Sequence, residues 1–223
     1  MQKQYVIIVA GGTGSRMNSE IPKQFIELNG EAIIIKTILC FLKFNSEINI
    51  IICIHRDFKN YLENLLQLHN IKVENIKITL GGETRFHSVK NGLDLITNNK
   101  AIVGIHDAAM PFVSQRTIKN CFETAAIKGL AIPCIAIHES IRKVNNNTNC
   151  WVNRDEYKII QTPQCFLVSK IKAAFTQNYS HTFTDDASVL EAAGEPIHLV
   201  EGNIENIKIT TPHDLLLAKN YTE

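Results

Sequence analysis

The sequence predicts an α/β fold of three layers, with a mostly parallel sheet held between helices. Three observations predict it. Apolar β-type runs recur along the 223 residues, helix-like stretches separate them, and several of the runs, such as 5–9 and 50–54, are apolar throughout. A strand without a polar face is buried on both sides, as in a parallel sheet covered by helices. In order, the expected strands are 5–9, 48–54, 76–80, 101–105, 129–137 and 197–200, and the expected helices are 31–44, 58–69, 88–96, 114–128, 169–178 and 188–193. In such folds ligands bind in loops at the carboxyl ends of the strands.

The first strand runs into Ala10-Gly11-Gly12-Thr13-Gly14-Ser15-Arg16, followed by Pro22-Lys23-Gln24-Phe25. A glycine-rich loop after a strand offers backbone N–H groups to phosphate, and Arg16 and Lys23 bring two cations to the same place. A tight turn alone needs glycine but has no use for those cations. The loop is not a Walker loop, because Gly14 is followed by Ser15-Arg16 where Gly-Lys-Ser/Thr is required. Nor is it a dinucleotide fingerprint, whose third glycine falls on Met17.

The strand 76–80 leads into Gly81-Gly82-Glu83-Thr84-Arg85-Phe86-His87-Ser88. Paired glycines let a flat group approach the backbone, a base could be read there, and Ser88 is the expected helix N-cap. The plainer reading is an ordinary turn with Arg85 in solvent. After the strand 101–105 come His106 and Asp107. Asp107 suits a ribose hydroxyl or a hydrated cation, and His106 reads as a hydrogen-bonded structural histidine.

The segment 137–160 breaks the alternation. A polar turn at 144–149 joins flanks 140–144 and 150–152 that pair as a hairpin, and an isolated hairpin needs something to pack on, most simply a second copy of the chain. Beyond it lie Arg154 beside Thr162 in Gln161-Thr162-Pro163-Gln164, and a helix entry at Thr184-Asp185-Asp186-Ala187-Ser188 that reads as structural. Lys208 sits in the apolar run Ile207–Ile209, and Thr211-Pro212 starts a last helix.

Hydrophobic residues make up 45% of the chain and net charge is +1, so a sizeable core is available and no polyanion partner is indicated. Scattered basic residues argue against nucleic acid. No apolar run approaches a membrane span, and the start leaves no room for a signal peptide. The six cysteines, without a CxxC pair, read as reduced core residues of a cytoplasmic protein.

As a set, GGTGSRM…PKQF, GGETRFHSV, HDAAMPF, QTPQ, TDDAS and NIKITTPHDL, in that order over nearly the whole chain, resemble the 2-C-methyl-D-erythritol 4-phosphate cytidylyltransferases of the non-mevalonate isoprenoid pathway. The resemblance implies a Rossmann-like nucleotidyltransferase fold in one domain, 1–223, a homodimer joined by a protruding β-hairpin arm at 137–160, and CTP, a polyol phosphate and Mg²⁺ as requirements. The Mg²⁺ is carried mainly on the CTP phosphates, with no dedicated protein metal site. It implies that Arg16 and Lys23 stabilise the transition state and that Ala10, Gly11, Gly12 and Gly14 bind triphosphate. Gly82 and Ser88 would read cytosine, and Asp107 would lie near ribose and metal. Arg154 and Lys208 would position the phosphate of the second substrate, and Ser140 and Thr162 would supply hydroxyls to that pocket, Arg154 and Ser140 reaching the neighbouring subunit's site. Three positions depart from the pattern: Met110 stands where Arg is usual, Glu139-Ser140 replaces Asp-Thr, and Gly11 replaces a frequent Ala. Rival readings at this point are a ribitol-5-phosphate cytidylyltransferase, which the TDDAS stretch resembles less, a sugar-1-phosphate nucleotidyltransferase, and a nucleotide-binding regulator without turnover.

Overall fold

Strand β1 (Gln4–Ala10) sits at the centre of the sheet because neither of its faces is polar. Val6 and Ile8 pack into one hydrophobic cluster and Tyr5 and Ile7 into another, the period-two alternation that puts successive side chains on opposite faces of a strand. The computed structural model describes residues 2–12 and 21–222. Parallel neighbours flank β1: β4 (Asn49–Ile54) on one side, with β5 (Ile76–Leu80) beyond it, and β6 (Ile102–Asp107) on the other.

The first cluster lies under α1 (Ile33–Phe44), α2 (Lys59–Leu68) and α4 (Gln115–Lys128), and the second under α3 (Arg85–Asp94), α5 (Val168–Ala174) and α6 (Asp186–Ala192). The three layers expected from the apolar runs are therefore present. A final helix, α7 (Pro212–Lys219), is capped by Thr211, with Pro212 in the first turn where its missing N–H leaves no helix bond unmade.

Several boundaries differ from expectation. Glu31 and Ala32 form a two-residue strand, β3 (Glu31–Ala32), against β2 (Glu27–Leu28), so the first helix begins at Ile33. Helix α3 is capped by Thr84 and not by Ser88, because the Thr84 hydroxyl accepts from the His87 backbone N–H. Besides that small pair, two strands of the main sheet were not foreseen. Strand β11 (Gln164–Leu167) runs antiparallel between β6 and the start of β7 (Leu130–Ala136), and β10 (Lys158–Ile160) pairs antiparallel with the end of β7, at Cys134–Ala136. Strand β12 (Leu199–Glu201) pairs parallel with β7 and completes an eight-stranded sheet.

The hairpin forms as β8 (Arg142–Asn145) and β9 (Thr148–Trp151), two residues later at its start than expected, with Asn146 in the left-handed conformation at the turn. All of its strand residues are exposed. Cys53, Cys121 and Cys165 are core residues, but Cys150 lies exposed on the hairpin, contrary to the reading of cysteines as core. Among the described residues no helix is long and apolar enough to cross a membrane.

Candidate active site

Strands β1, β4, β5 and β6 are mutually parallel, so their carboxyl ends share one edge of the sheet. A cavity of about 380 Å³ opens there. Gly11 and Gly12 reach it from the end of β1, Gly82 from the loop after β5, Ser88 from the first turn of α3, and Asp107 from the end of β6. Ala10, Lys23 and Lys208 line it too. Gly14 and Arg16, both expected here, lie outside the described residues.

Gln24 explains how Lys23 comes to the glycine loop. Its buried side-chain amide donates to the carbonyls of Ala10, at 2.7 Å, and Gly12, at 3.1 Å. Phe25, next along, packs its ring on Phe58 and Tyr61. The turn Lys23–Phe25 is thus pinned on both sides, and Lys23 is delivered to the cavity wall.

The loops after β1 and β5 touch through their glycines. A Cβ on Gly81 would lie 3.3 Å from the Gly11 Cα, and one on Gly82 only 2.4 Å from the His87 Cβ. No side chain fits at Gly82 without moving the start of α3. Ser88 ties the second loop: its hydroxyl accepts from the Gly82 N–H at 3.0 Å and donates to the Thr84 carbonyl at 3.0 Å.

Asp107 carries most of the electrostatics. Arg85 Nε donates to Asp107 Oδ1 at 3.2 Å, and Lys208 Nζ lies 2.5 Å from Asp107 Oδ2. The other arm of Arg85 donates to Asp186 Oδ2 at 2.7 Å, and that aspartate is 1% exposed. The result is a ladder of alternating charge, Lys208, Asp107, Arg85, Asp186. Only the planar guanidinium fork can bind two carboxylates in this way. Burial opposes ionisation of Asp107, but Arg85 and Lys208 outweigh it and hold the carboxyl below its ordinary range. Burial pushes the Asp186 carboxyl up, against the pull of Arg85. Arg85 is therefore tied to two carboxylates and not solvated alone, and it is a residue of both cavity walls that sequence reasoning missed. Lys208 lies on an irregular segment between β12 and α7.

A second cavity, of about 410 Å³, adjoins the first and shares Arg85, Asp107 and Lys208 with it. Thr162 and Met110 line it. His106 Nε2 sits 3.0 Å from the Met110 carbonyl, which can only accept, so that nitrogen carries the proton. Burial pushes the His106 pKa down to about 4, leaving the ring neutral. Its Nδ1 therefore accepts, and the Thr162 hydroxyl donates to it at 2.9 Å. The same Thr162 oxygen accepts from the Asp107 N–H at 3.3 Å. Thr162 can accept one more hydrogen bond from a ligand but has no proton left to offer. His106 is structural, as its sequence context suggested.

Lys208 is held in place by the chain around it. Gln161 donates to the carbonyls of Asn203 and Asn206, Asn206 donates to the Thr162 carbonyl, and the Ile209 N–H donates to the Ala109 carbonyl. The QTPQ, HDAAM and NIKIT stretches are in this sense one locked unit. The TDDAS stretch caps α6 through Asp185 and Ser188 and also supplies Asp186 to the ladder.

Arg154 and Ser140 line neither cavity. Ser140 is exposed just before the hairpin, and Arg154 follows it, donating to the His138 carbonyl. Arg116 and Arg142 line neither cavity and are engaged on the surface with Glu201 and Asn149, so neither stands in for the arginine usual at position 110.

No cluster of three or more His, Cys, Asp and Glu side chains suited to a metal exists among the described residues. The donor set fits a hard cation that arrives with most of its ligands on a phosphate chain, which needs only one or two protein carboxylates. Asp107, ionised and on the cavity wall, is the suited one.

The family model of 2-C-methyl-D-erythritol 4-phosphate cytidylyltransferase matches residues 4–223. A Bacteroides fragilis protein of that name is 46% identical over 212 residues, covering 95% of this chain and 96% of its own. A Geobacillus kaustophilus protein of the same name is 37% identical, with 96% and 94% covered. Among solved structures, Anaerococcus prevotii 4-diphosphocytidyl-2C-methyl-D-erythritol synthase superposes with a TM-score of 0.85 at 26% identity, covering 99% and 96% of the two chains. The Francisella tularensis cytidylyltransferase superposes at 0.80 with 34% identity, covering 99% and 100%.

Proposed function

The chain belongs to the 2-C-methyl-D-erythritol 4-phosphate cytidylyltransferase family, and we propose that its two adjoining cavities hold CTP and the polyol phosphate for in-line transfer of the cytidylyl group. A phosphate oxygen of the polyol phosphate attacks the α-phosphorus of CTP. The bond to the β-phosphate breaks, pyrophosphate leaves, and 4-diphosphocytidyl-2-C-methyl-D-erythritol remains, a precursor in isoprenoid biosynthesis.

The observation that carries this reading is the Asp107 wall shared by the two cavities, with Lys23 on one side and Lys208 on it. A phosphate monoester carries about −1.5 to −2 charge near neutrality, so the nucleophile is already ionised and no general base is needed. The obstacle is repulsion between two anions, and catalysis is positioning plus charge neutralisation. Lys23, with Arg16, holds the triphosphate against the glycine loop and stabilises the crowded α-phosphate. Gly82 leaves room for the base to approach the backbone. Lys208 holds the incoming phosphate, and Asp107 faces the ribose. Mg²⁺ carried on the CTP phosphates, with Asp107 to hold it, would neutralise part of the triphosphate charge.

We also place the arm between two copies of the chain. Trp151 and Val144 are 74% and 72% exposed on it, a poor state for large apolar groups unless covered. Pairing two arms would bury them and bring Arg154 and Ser140 to the partner's second cavity. The test is pyrophosphate release from CTP and Mg²⁺ with either 2-C-methyl-D-erythritol 4-phosphate or ribitol 5-phosphate. Release with the first supports the reading; release with neither, or a preference for the second, contradicts it.

A further inference from the structure

The second cavity has a wall that phosphate and hydroxyl recognition does not explain. Three of its charges, Arg85, Asp107 and Lys208, gather at the end shared with the first cavity, Asp185 adds a fourth outside that end, and Gln161, Thr162, Gln164, Thr184 and Asn206 supply polar groups. The rest is apolar: Met110 with isoleucines at 135, 159, 160, 204 and 207. A linear polyol would have to leave hydroxyls against that surface with no partner, whereas a carbon-bonded methyl branch would be desolvated there favourably.

Met110 is the apolar group best placed to receive such a branch. It is 5% exposed, while Ile160 and Ile204 stand at 42% and 62%. It comes three residues after Asp107, its carbonyl is fixed by the His106 ring, and its Sδ lies 3.2 Å from the Thr162 hydroxyl oxygen. The thioether is therefore held beside the polar groups that would bind the substrate's hydroxyls, close to the charges that would bind its phosphate. We propose that Met110 makes the second cavity selective for a methyl-branched polyol phosphate over its unbranched counterpart. This rests on the reading of that cavity as the polyol phosphate site.

The experiment compares kcat/KM for 2-C-methyl-D-erythritol 4-phosphate and erythritol 4-phosphate at fixed CTP, in wild type and in Met110→Leu, Met110→Gln and Met110→Ala, with thermal melting of each. One methyl group in an apolar pocket is worth about 10–200-fold in specificity. Wild type and Met110→Leu are expected to favour the methylated substrate within that range. Met110→Gln, of similar length but polar, and Met110→Ala are expected to fall toward parity by losing rate on the methylated substrate, with KM for CTP unchanged. Should one of these two fail to fold, the other decides. A wild-type ratio near one overturns the proposal, as does a ratio that persists in a folded Gln or Ala variant. Absence of pyrophosphate release with the methylated substrate in wild type would instead overturn the functional reading itself.

Discussion

At the residue scale the charge ladder dominates. Arg85 holds two carboxylates, and removing one partner of a buried pair typically destabilises by about 3–5 kcal/mol. Arg85→Met is therefore expected to lower the melting temperature clearly and Arg85→Lys to recover only part of the loss, since one ammonium cannot span Asp107 and Asp186; calorimetry of the three proteins checks this. Lys23→Ala and Arg16→Ala are expected to behave oppositely, with near-normal melting and turnover reduced by roughly 10²–10³, about 3–4 kcal/mol of transition-state stabilisation. Either variant with near-normal turnover would remove that residue from the site. His106 supplies a pH signature. Its pKa in the folded chain, about 4, lies below the unfolded value near 6.5. Its contribution is full above the unfolded value and is lost as pH falls from there through the folded one, by about 3 kcal/mol in all. Urea unfolding between pH 7 and pH 4 should show that slope in wild type and a shallower one in His106→Gln. Lys23 and Asp107 were legible in the sequence because a cation beside a glycine loop and an acid at a strand end announce themselves locally, and Lys208 because a charge interrupts an apolar run in a stretch that carries the family resemblance. Arg85 was not, because its partner Asp186 is 101 positions away and only the fold brings them together.

At the scale of elements, the glycine loops and the arm carry distinct expectations. Gly82→Ala would push a Cβ to within 2.4 Å of His87. It is expected to cost about 1–3 kcal/mol and to raise KM for CTP more than KM for the second substrate, measured by steady-state kinetics. Trp151→Glu, which places a charge on the arm's exposed apolar patch, is expected to shift sedimentation toward monomer and to lower turnover with it; a monomeric wild type, or a dimer untouched by the change, would contradict the arm's proposed role. Strands β1 and β4 were readable because each is almost continuously apolar and bounded by turn residues, and β5 because apolar and polar residues alternate along it. Strands β10 and β11 were not, since three- and four-residue strands beside a proline carry too little pattern to stand out. The Ser88 cap failed for a similar reason: Thr84 and Ser88 are both capping types, and only the backbone shows that Thr84 reaches the His87 N–H while Ser88 is spent on the loop.

Across the whole molecule, the sheet edge assembles loops from β1, β5 and β6 with the segment leading into β11. Two cavities with a common charged wall result. That arrangement suits two anions that must meet and have no proton to exchange. The most direct measurement is the pH dependence of kcat/KM for the polyol phosphate at saturating CTP and Mg²⁺. The expected profile rises once, with the second ionisation of the phosphate monoester near pH 6, and then stays flat to the onset of lysine titration, in wild type and His106→Gln alike. A further inflection that belongs to a side chain and vanishes on its substitution would reveal a proton-transferring base, and would contradict catalysis by charge neutralisation alone.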